Sequence, residues 1–241
     1  MTGVTDKTIL VTGASSGIGE STVRELAAAG ANLFIGARRA ERLEALAREL
    51  GPRVGWSALD VTDASSFDAF VAAAEARFGR VDALVNNAGV MPLSPLAALK
   101  RDEWKKMIDV NVHGVLNGIA SVLPRFVAQG SGHVVNVASI AAHMVMPTAA
   151  VYCASKFAVW AITDGLRQEH DEIRATIISP GVVETELGND ISDPQVAAAL
   201  QQWRKKSLTP DAIARAIRFA LEQPDGVDVN EVIVRPTAAG M

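Results

Sequence analysis

The sequence is poor in the residue types that tie a protein to an oxidising compartment or to a charged partner. Its 241 residues include one cysteine, Cys153, and carry a net charge of −4. A lone cysteine excludes an internal disulfide framework and favours a reducing compartment. Since no long basic or acidic block occurs, the charge pattern does not favour nucleic acid or an anionic membrane surface. The first seven residues are too polar for a signal peptide. We therefore predict a cytoplasmic protein without a nucleic-acid or membrane partner.

A stretch without charged residues lies between Arg125 and Lys156, where no Asp, Glu, Lys or Arg occurs. Glycine, proline and polar residues such as Asn136 interrupt it, so it cannot supply an uninterrupted membrane-spanning helix. We interpret this stretch as the middle of a buried sheet. Hydrophobic residues make up 49% of the chain, which is enough for a substantial core.

Short apolar runs and helical patterns alternate along the whole chain. Strands are predicted at residues 9–11, 32–35, 54–59, 83–85, 134–137, 175–178 and 231–234. Helices are predicted up to residue 26, from 40 to 50, after an N-cap at Asp63, and over about 102–128, 150–170 and 211–221. This alternation predicts an α/β fold with a doubly wound parallel sheet of about seven strands and helices on both faces. With no linker or repeat in the sequence, we expect one domain over residues 1–241.

Closely spaced glycines join the first strand to the first helix. Gly13, Gly17 and Gly19 follow the apolar run at residues 9–11. Glycines let backbone N–H groups approach an anion, and a helix start offers unpaired donors at its positive end. The turn therefore predicts a pyrophosphate site. Its spacing is G-x-x-x-G-x-G rather than the commoner G-x-G-x-x-G, and a glycine-rich turn that binds nothing is the alternative.

Residues with unusual chemistry follow the predicted strands. In an open parallel sheet, ligands bind beyond the carboxyl ends of the strands. A scatter of polar residues at random would not sort to these positions. The residues in question are Gly13, Arg38, Asp60, Asn86, Ser139 and Pro180.

Tyr152 is the only tyrosine in the chain, and Lys156 lies four positions later on the same predicted helix. Positions i and i+4 share a helix face, so the phenol and the ammonium can act in one pocket. A nearby positive charge lowers a phenol pKa from about 10. This would make Tyr152 a general acid for carbonyl reduction and a base for alcohol oxidation. Ser139 could donate a hydrogen bond to the substrate oxygen. A surface Tyr–Lys pair is the alternative.

Taken in order, these motifs resemble the compact, single-domain type of the short-chain dehydrogenase/reductase family over essentially the whole chain. The resemblance rests on Thr12-Gly13-Ala-Ser-Ser-Gly17-Ile-Gly19, Asp60-Val61, Asn86-Asn87-Ala88-Gly89, Asn111, Ser139, Tyr152 with Lys156, and Pro180-Gly181 followed by Thr185. It implies a Rossmann-like fold and hydride transfer between a nicotinamide and a carbonyl or alcohol. No metal site is implied.

The resemblance also implies roles for individual residues. Tyr152 would be the acid/base and Ser139 would orient the substrate. Lys156 would hold the nicotinamide ribose, and Asn111 would support a water-linked proton relay. Asp60 and Val61 would contact the adenine, and residues 86–89 would line the cofactor cleft. The implied cofactor-binding residues are Gly13, Ser15, Ser16, Gly17, Ile18, Gly19, Arg38, Arg39, Asp60, Val61, Asn87, Ala88, Gly89, Tyr152, Lys156, Pro180, Gly181, Val183 and Thr185.

Structural roles remain open for three of these residues. Asn111 could cap a local kink in its helix, and Asp60 could cap the turn that follows it. Thr185 could be an ordinary loop residue. The residues alone do not separate these roles from the functional ones, which the resemblance favours.

The residues after the second strand favour NADP over NAD. An acidic residue about 20 positions past the glycine turn usually pairs with the ribose hydroxyls of NAD, but here Arg38 and Arg39 stand there and the first acid is Glu41. A guanidinium binds a 2′-phosphate through paired hydrogen bonds. We expect Arg38 to be the better placed, with Ser15 as a second donor. Two solvated loop arginines are the alternative.

Three segments should wall the substrate pocket: residues 90–96, 140–147 and 186–207. The first two supply Met91, Leu93, Met144, Val145 and Met146, with His143 as the one titratable group. They favour a small, moderately apolar ketone or aldehyde, or the corresponding alcohol, although such residues often serve packing alone. The third segment is polar and could move as a lid.

Two narrower points follow from the resemblance. The sequence at residues 230–237 resembles a subgroup of bacterial NADP-dependent reductases that includes clavulanic acid dehydrogenase. The family also implies a homotetramer or homodimer, with which an apolar Trp160 and Ile162 are compatible, although both could be intrachain core.

Two other functions are alternatives to hydride transfer. One is a non-catalytic NADP-binding regulator, and the other is an isomerase or dehydratase of related fold.

Overall fold

The computed structural model describes residues 3–237, which contain a seven-stranded sheet. All neighbouring strands are parallel. The strands are β1 (Thr8–Thr12), β2 (Asn32–Ala37), β3 (Val54–Ala58), β4 (Ala83–Asn86), β5 (Gly132–Val137), β6 (Ile173–Pro180) and β7 (Glu231–Val234). The helices are α1 (Gly17–Ala28), α2 (Ala40–Leu50), α3 (Ala64–Phe78), α4 (Arg101–Ile108), α5 (Gly114–Gln129), α6 (Ala150–Glu169), α7 (Pro194–Arg204) and α8 (Pro210–Glu222).

The strand order across the sheet is β3-β2-β1-β4-β5-β6-β7. The chain moves outward from β1 to β3 and then returns to place β4 on the other side of β1. The topological switch point therefore lies between β1 and β4, where ligands bind in such sheets. This confirms the predicted Rossmann-like, doubly wound parallel sheet.

Apolar side chains cover both faces of the sheet. One core cluster includes Leu26 of α1 and Ile217 of α8, and the other includes Phe70 of α3 and Phe126 of α5. Both clusters take buried strand residues, as expected of parallel strands covered on two faces. Within residues 3–237, no helix combines the length and the apolar character needed to cross a bilayer.

Local signals set several helix ends as predicted. The Asp63 carboxylate accepts the Ser65 N–H at 2.9 Å and thus acts as the N-cap of α3. This hydrogen bond satisfies one of the free N–H groups at the helix start. Gly79 follows the helix with φ of +85°, a conformation that costs glycine little. Both predicted boundaries of α3 are confirmed.

Three elements differ from the prediction. The helix predicted over residues 102–128 is divided into α4 and α5 by a π-helical turn, Asp109–His113. Helix α7 lies in a segment predicted to be a polar lid, and its N-cap Asp193 accepts N–H groups of Gln195 and Val196. Strand β6 continues through Pro180, predicted as a turn, because its last residues pair with β7. For β6 a tertiary contact decides the boundary, whereas α7 begins at a local cap that the sequence analysis did not use.

His133 is a buried titratable group in β5, 1% exposed. Its Nε2 lies 2.8 Å from Thr176 Oγ1, and its Nδ1 has no hydrogen-bond partner among the described residues. Burial, together with the charges of Arg174 and Lys7, lowers the pKa of His133 well below the ordinary value of 6.5. The imidazole is therefore neutral in the folded protein.

We expect His133 to make the protein less stable in acid. The unfolded chain takes up a proton on this histidine near pH 6.5 and the folded chain does not, so the free energy of unfolding falls as the pH drops below about 6.5. The limiting slope is about 1.4 kcal/mol per pH unit. His133→Gln, which can still bond Thr176, should remove this part of the slope in urea unfolding between pH 7 and 5. Equal slopes in wild type and His133→Gln would contradict the assignment.

Candidate active site

The glycine turn lies at the carboxyl end of β1, where it opens α1. Gly13 and Gly17 have φ angles of +66° and +56°, a left-handed backbone that glycine adopts without penalty. The N-cap residue Ser16 makes no side-chain hydrogen bond to the helix, so the first N–H groups of α1 are left for another acceptor. The donor set fits the pyrophosphate predicted for this turn.

Gly19 serves the packing of the turn. A Cβ atom there would lie 2.3 Å from the Gly13 carbonyl oxygen and 2.6 Å from Asn87 Nδ2. Only a residue without a side chain lets the first turn of α1 approach so closely. Gly19 therefore acts through the close packing of α1 against the turn.

Two side chains fasten the turn to the end of β4. Thr12 Oγ1 accepts the N–H groups of Asn87 at 3.0 Å and Ala88 at 3.1 Å. Asn87 Nδ2 donates to the carbonyl oxygens of Thr12 at 3.0 Å and Gly13 at 3.3 Å. Thr12 had no predicted role of its own, although it stands in the glycine motif.

Asn86 was expected to line the cofactor cleft, but it does not. It is 4% exposed, and its Nδ2 donates to Asn136 Oδ1 at 2.9 Å. Asn136 Nδ2 in turn donates to Thr163 Oγ1 at 2.8 Å. Because this buried chain joins β4, β5 and α6, Asn86 supports the sheet beneath the site.

A cavity of about 1670 Å³ lies along the carboxyl ends of the strands. Small-molecule pockets typically measure about 300–1,000 Å³, so this one has room for a dinucleotide and a substrate together. Of the predicted site residues, Gly19, Asn86 and Asn111 do not line it. Those that do are Gly13, Ser15, Ser16, Gly17, Ile18, Arg38, Arg39, Asp60, Val61, Asn87, Ala88, Gly89, Ser139, Tyr152, Lys156, Pro180, Gly181, Val183 and Thr185.

Tyr152, Ser139 and Lys156 meet in one wall of this cavity. Tyr152 and Lys156, both on α6, are 5% and 6% exposed. Ser139, which follows β5, makes a side-chain hydrogen bond with Tyr152. Lys156 Nζ lies 5.8 Å from the centroid of the Tyr152 ring and donates to the Val137 carbonyl oxygen at 3.0 Å. The predicted surface alternative for the Tyr–Lys pair is therefore wrong.

The pKa of Tyr152 moves in the direction opposite to the sequence-based expectation. Burial raises it to about 12, and the hydrogen bond with Ser139 only partly opposes this shift. Burial also lowers the pKa of Lys156 to about 8. The expectation of an acidified phenol is wrong in this structure because both groups are desolvated and the ammonium bonds to Val137. At neutral pH the phenol is protonated.

Asn111 lies behind Gly89 in the π-helical turn and is 1% exposed. Its Oδ1 accepts the Val90 N–H at 2.9 Å, and its Nδ2 donates to the Val90 carbonyl at 3.0 Å and to Ser155 Oγ at 3.0 Å. Ser155, unassigned from the sequence, donates to the Tyr152 carbonyl oxygen at 2.7 Å. Asn111 thus links the loop after β4 to the helix that carries Tyr152.

Arg39 contacts the glycine turn, whereas Arg38 was expected to be the better placed. Arg39 Nε and Nη2 lie 3.1 and 2.9 Å from Ser15 Oγ, and Nη2 lies 2.8 Å from Ser16 Oγ. Arg38 is exposed on the cavity wall and makes no hydrogen bond with a described residue. The expected pairing of Ser15 with an arginine is present, but the arginine is the next one along the chain.

The Asp60 carboxylate caps the turn that follows β3. Its Oδ1 accepts the Thr62 N–H at 3.0 Å and the Thr62 hydroxyl at 2.8 Å. The structural role left open for Asp60 is therefore present. Asp60 and Val61 also line the cavity, and their contact with adenine stays a prediction.

The predicted substrate walls surround the part of the cavity next to Tyr152. Met91, Leu93, Met144 and Met146 line it, whereas Val145 is 68% exposed and does not. Unpredicted helix α7 adds Leu200 and Trp203 to the lining.

His143 lies outside the pocket that it was expected to share. Its Nε2 is 2.7 Å from Glu231 Oε1 and 3.3 Å from Ser179 Oγ, so it packs towards β7. Charged residues missed by the sequence analysis line the pocket instead. Among them, Lys106 of α4 pairs with Asp190 at 2.9 Å. A sequence signal for this pair is lacking because the two residues lie 84 positions apart.

Comparison with known proteins gives consistent matches. The family model for short chain dehydrogenases matches residues 7–196. A protein of Staphylococcus saprophyticus described as an uncharacterized oxidoreductase is 49% identical over 246 residues, which cover 100% of each chain.

Two solved structures with folds similar to that of this chain contain nicotinamide nucleotides. An alcohol dehydrogenase from Thermococcus sibiricus, complexed with 5-hydroxy-NADP, has a TM-score of 0.88 and 33% identity, covering 98% of both chains. A short chain dehydrogenase/reductase from Burkholderia phymatum in complex with NAD has a TM-score of 0.88 and 25% identity, covering 97% of this chain and 90% of that one. The structural neighbours thus include both an NADP-type and an NAD complex.

Proposed function

Because this chain belongs to the short-chain dehydrogenase family and is an oxidoreductase of that family, we propose that it transfers a hydride between NADP(H) and a small, moderately apolar ketone or aldehyde, or the corresponding secondary or primary alcohol. One observation carries the proposal. The Tyr152 side chain, which is hydrogen-bonded to Ser139 and lies next to Lys156, lines the same cavity as the glycine turn.

Tyr152 is the proton donor in this proposal. A bound nicotinamide would supply the hydride to the carbonyl carbon, or accept it from an alcohol. With its pKa raised to about 12 by burial, the phenol keeps its proton at neutral pH and gives it to the carbonyl oxygen as negative charge develops there. In the reverse direction the phenolate accepts the proton of the alcohol.

Ser139, Lys156 and Asn111 support that proton transfer. Ser139 donates a hydrogen bond to the substrate oxygen, and Lys156 holds the nicotinamide ribose and stabilises the phenolate. Asn111 supports the water-linked relay. A Cβ atom on Gly89 would lie 3.4 Å from Asn111 Oδ1 and 3.8 Å from Lys156 Nζ, which supports the relay because the two groups flank the same glycine.

The preference for NADP rests on the arginines after β2. Arg39 donates hydrogen bonds to Ser15 and Ser16 of the glycine turn, and Arg38 lines the same cavity. Guanidinium groups bind phosphate through paired, charge-assisted hydrogen bonds. A 2′-phosphate next to this turn would therefore have cationic partners.

The proposal extends to the organisation of the protein. We place the nucleotide site and the catalytic site in one domain over residues 1–241, in a cytoplasmic homotetramer or homodimer. Exposed apolar side chains on two neighbouring helices, Leu116 of α5 with Phe157 and Trp160 of α6, support assembly because such surfaces are costly in water. The likeness to the clavulanic acid dehydrogenase subgroup stays a prediction.

A panel of ketones and aldehydes tests the function. We expect a steady loss of NADPH absorbance with at least one apolar carbonyl compound, and kcat/KM at least about tenfold higher with NADPH than with NADH, equivalent to about 1.4 kcal/mol. Nucleotide binding without turnover of any compound would favour a regulator. Product formation without net loss of NADPH would favour an isomerase or dehydratase, and a preference for NADH would overturn the assignment of NADP.

A further inference from the structure

Glu186 bridges two arginines at the nucleotide end of the cavity. Its Oε2 lies 2.7 Å from Arg39 Nη1 and its Oε1 lies 2.8 Å from Arg42 Nη1. The same Arg39 holds Ser15 and Ser16 of the glycine turn through its other nitrogens. One carboxylate therefore binds both Arg39, which contacts the turn, and Arg42 of α2.

This carboxylate comes from the opposite side of the cleft. Glu186 follows Thr185 beyond β6, and a Cβ atom on Gly17 would lie 3.0 Å from Thr185 Cγ2. The segment after β6 thus rests on the glycine turn and reaches across it to Arg39. It joins the wall of the proposed substrate pocket to the wall of the nucleotide site.

We propose that Glu186 competes with the 2′-phosphate of NADP for Arg39, and so sets how strongly this protein prefers NADP to NAD. The inference rests on the proposed NADP-dependent function and adds a residue that the arginines alone do not reveal. Phosphate and carboxylate both seek the paired N–H donors of a guanidinium. Two anions at one guanidinium repel each other, so binding of one disfavours the other.

The donors of Arg39 are largely committed in this arrangement. Nε and Nη2 face the two serines and Nη1 faces Glu186. Hydrogen bonds with Arg42 and Arg39 hold the pKa of Glu186 at about 2, so the carboxylate is ionised at neutral pH. A phosphate that pairs with Arg39 must therefore displace a charged group, which lowers its affinity below the value that this arginine alone would give.

The neighbouring Glu184 supplies a matched control. It is an exposed carboxylate two residues earlier in the same segment, and its backbone N–H donates to the Leu208 carbonyl oxygen at 2.9 Å. No side-chain ion pair of Glu184 is present among the described residues. Glu184→Gln therefore changes the net charge as Glu186→Gln does, without releasing Arg39 or Arg42.

The test compares adenosine 2′,5′-bisphosphate with 5′-AMP by isothermal titration calorimetry, so that neither the nicotinamide nor turnover enters the result. We expect Glu186→Gln to bind the bisphosphate about tenfold more tightly than wild type, within the 5- to 150-fold range of typical site coupling. Its affinity for 5′-AMP should stay within about twofold of wild type, and Glu184→Gln should match wild type for both ligands.

Four other outcomes would overturn the inference. Weaker binding of the bisphosphate by Glu186→Gln would mean that Glu186 positions the arginines, and equal tightening of both ligands would mean a general charge effect. If wild type prefers the bisphosphate but Glu186→Gln behaves as wild type, the competition alone fails. If wild type binds both ligands equally and Arg39→Ala alters neither, the proposed NADP site itself fails, and the inference falls with it.

Discussion

Replacing Tyr152 with phenylalanine is expected to lower kcat for NADPH-dependent carbonyl reduction by about 10³-fold, within the 10²- to 10⁴-fold range for loss of a general acid. The substitution removes the phenol oxygen and keeps the ring that packs in the core around α6. Ser139 can still bond the substrate oxygen, so KM should change much less than kcat. Stopped-flow or steady-state loss of NADPH absorbance measures both quantities.

Thr163→Val is the matched control on the same helix. Thr163 Oγ1 accepts from Asn136 Nδ2 at 2.8 Å and donates to the Val159 carbonyl at 2.6 Å, so its removal leaves the buried Nδ2 donor of Asn136 without that acceptor, while Asn136 Oδ1 still accepts from Asn86. That loss costs about 1–3 kcal/mol of stability. We expect Thr163→Val to be the less stable variant and to keep wild-type kcat. A Tyr152→Phe enzyme that retains a tenth of the wild-type kcat would contradict the role of Tyr152.

The direction of the pH dependence follows from the raised pKa of Tyr152, about 12. The phenol stays protonated through neutral pH, so reduction should not fall between pH 6 and 7.5, below the Lys156 pKa of about 8. Alcohol oxidation needs the phenolate of Tyr152. Its fraction rises tenfold with each pH unit as long as the pH lies below the pKa of Tyr152. Wild type should therefore oxidise alcohols faster as pH rises towards 8, and Tyr152→Phe should lose this slope.

Local patterns were enough to predict much of the site. The glycine turn, Ser139 and Pro180 each stand where an apolar strand ends, and parallel strands bring those ends to one edge of the sheet. The i, i+4 spacing likewise places Tyr152 and Lys156 on one face of α6. These relations depend on periodicity and strand direction, which a single sequence carries.

Side-chain direction could not be predicted in the same way. His143 lies in a predicted substrate wall yet turns to Glu231, 88 positions away in the chain. Whether Arg38 or Arg39 meets the glycine turn depends on how β2 enters α2, because neighbouring residues there point to different sides. Glu186, which holds Arg39, is 147 positions from it, so no local pattern links the two.

The pKa of Tyr152 fails as a sequence-based prediction for a related reason. Spacing gives the distance between a phenol and an ammonium along a helix but does not give their burial. Desolvation disfavours the charged form of each group, and here it outweighs the attraction between them. Lys156 also has an acceptor in Val137, which the helix pattern does not contain.

Gly19→Ala is expected to destabilise the protein by about 2–3 kcal/mol, at the upper part of the usual cost of overpacking. The new methyl group would lie 2.3 Å from the Gly13 carbonyl oxygen and 2.8 Å from the Gly13 carbonyl carbon. Both are backbone atoms fixed by the glycine turn, so α1 must move away from it. The affinity for adenosine 2′,5′-bisphosphate should fall as well, because the turn and the helix start no longer converge on one anion.

Gly165→Ala supplies the opposite result from the same chemical change. Gly165 lies inside α6, and a Cβ atom there would meet nothing within 4 Å apart from the backbone of its own helix. Alanine in a helix interior is favoured over glycine by about 0.5–1 kcal/mol, so the urea midpoint should rise. If the two variants shifted the midpoint alike, close approach of α1 to the turn could not be the reason for glycine at position 19. Opposite shifts, with nucleotide affinity lost only in Gly19→Ala, would mean that this approach is what shapes the anion site.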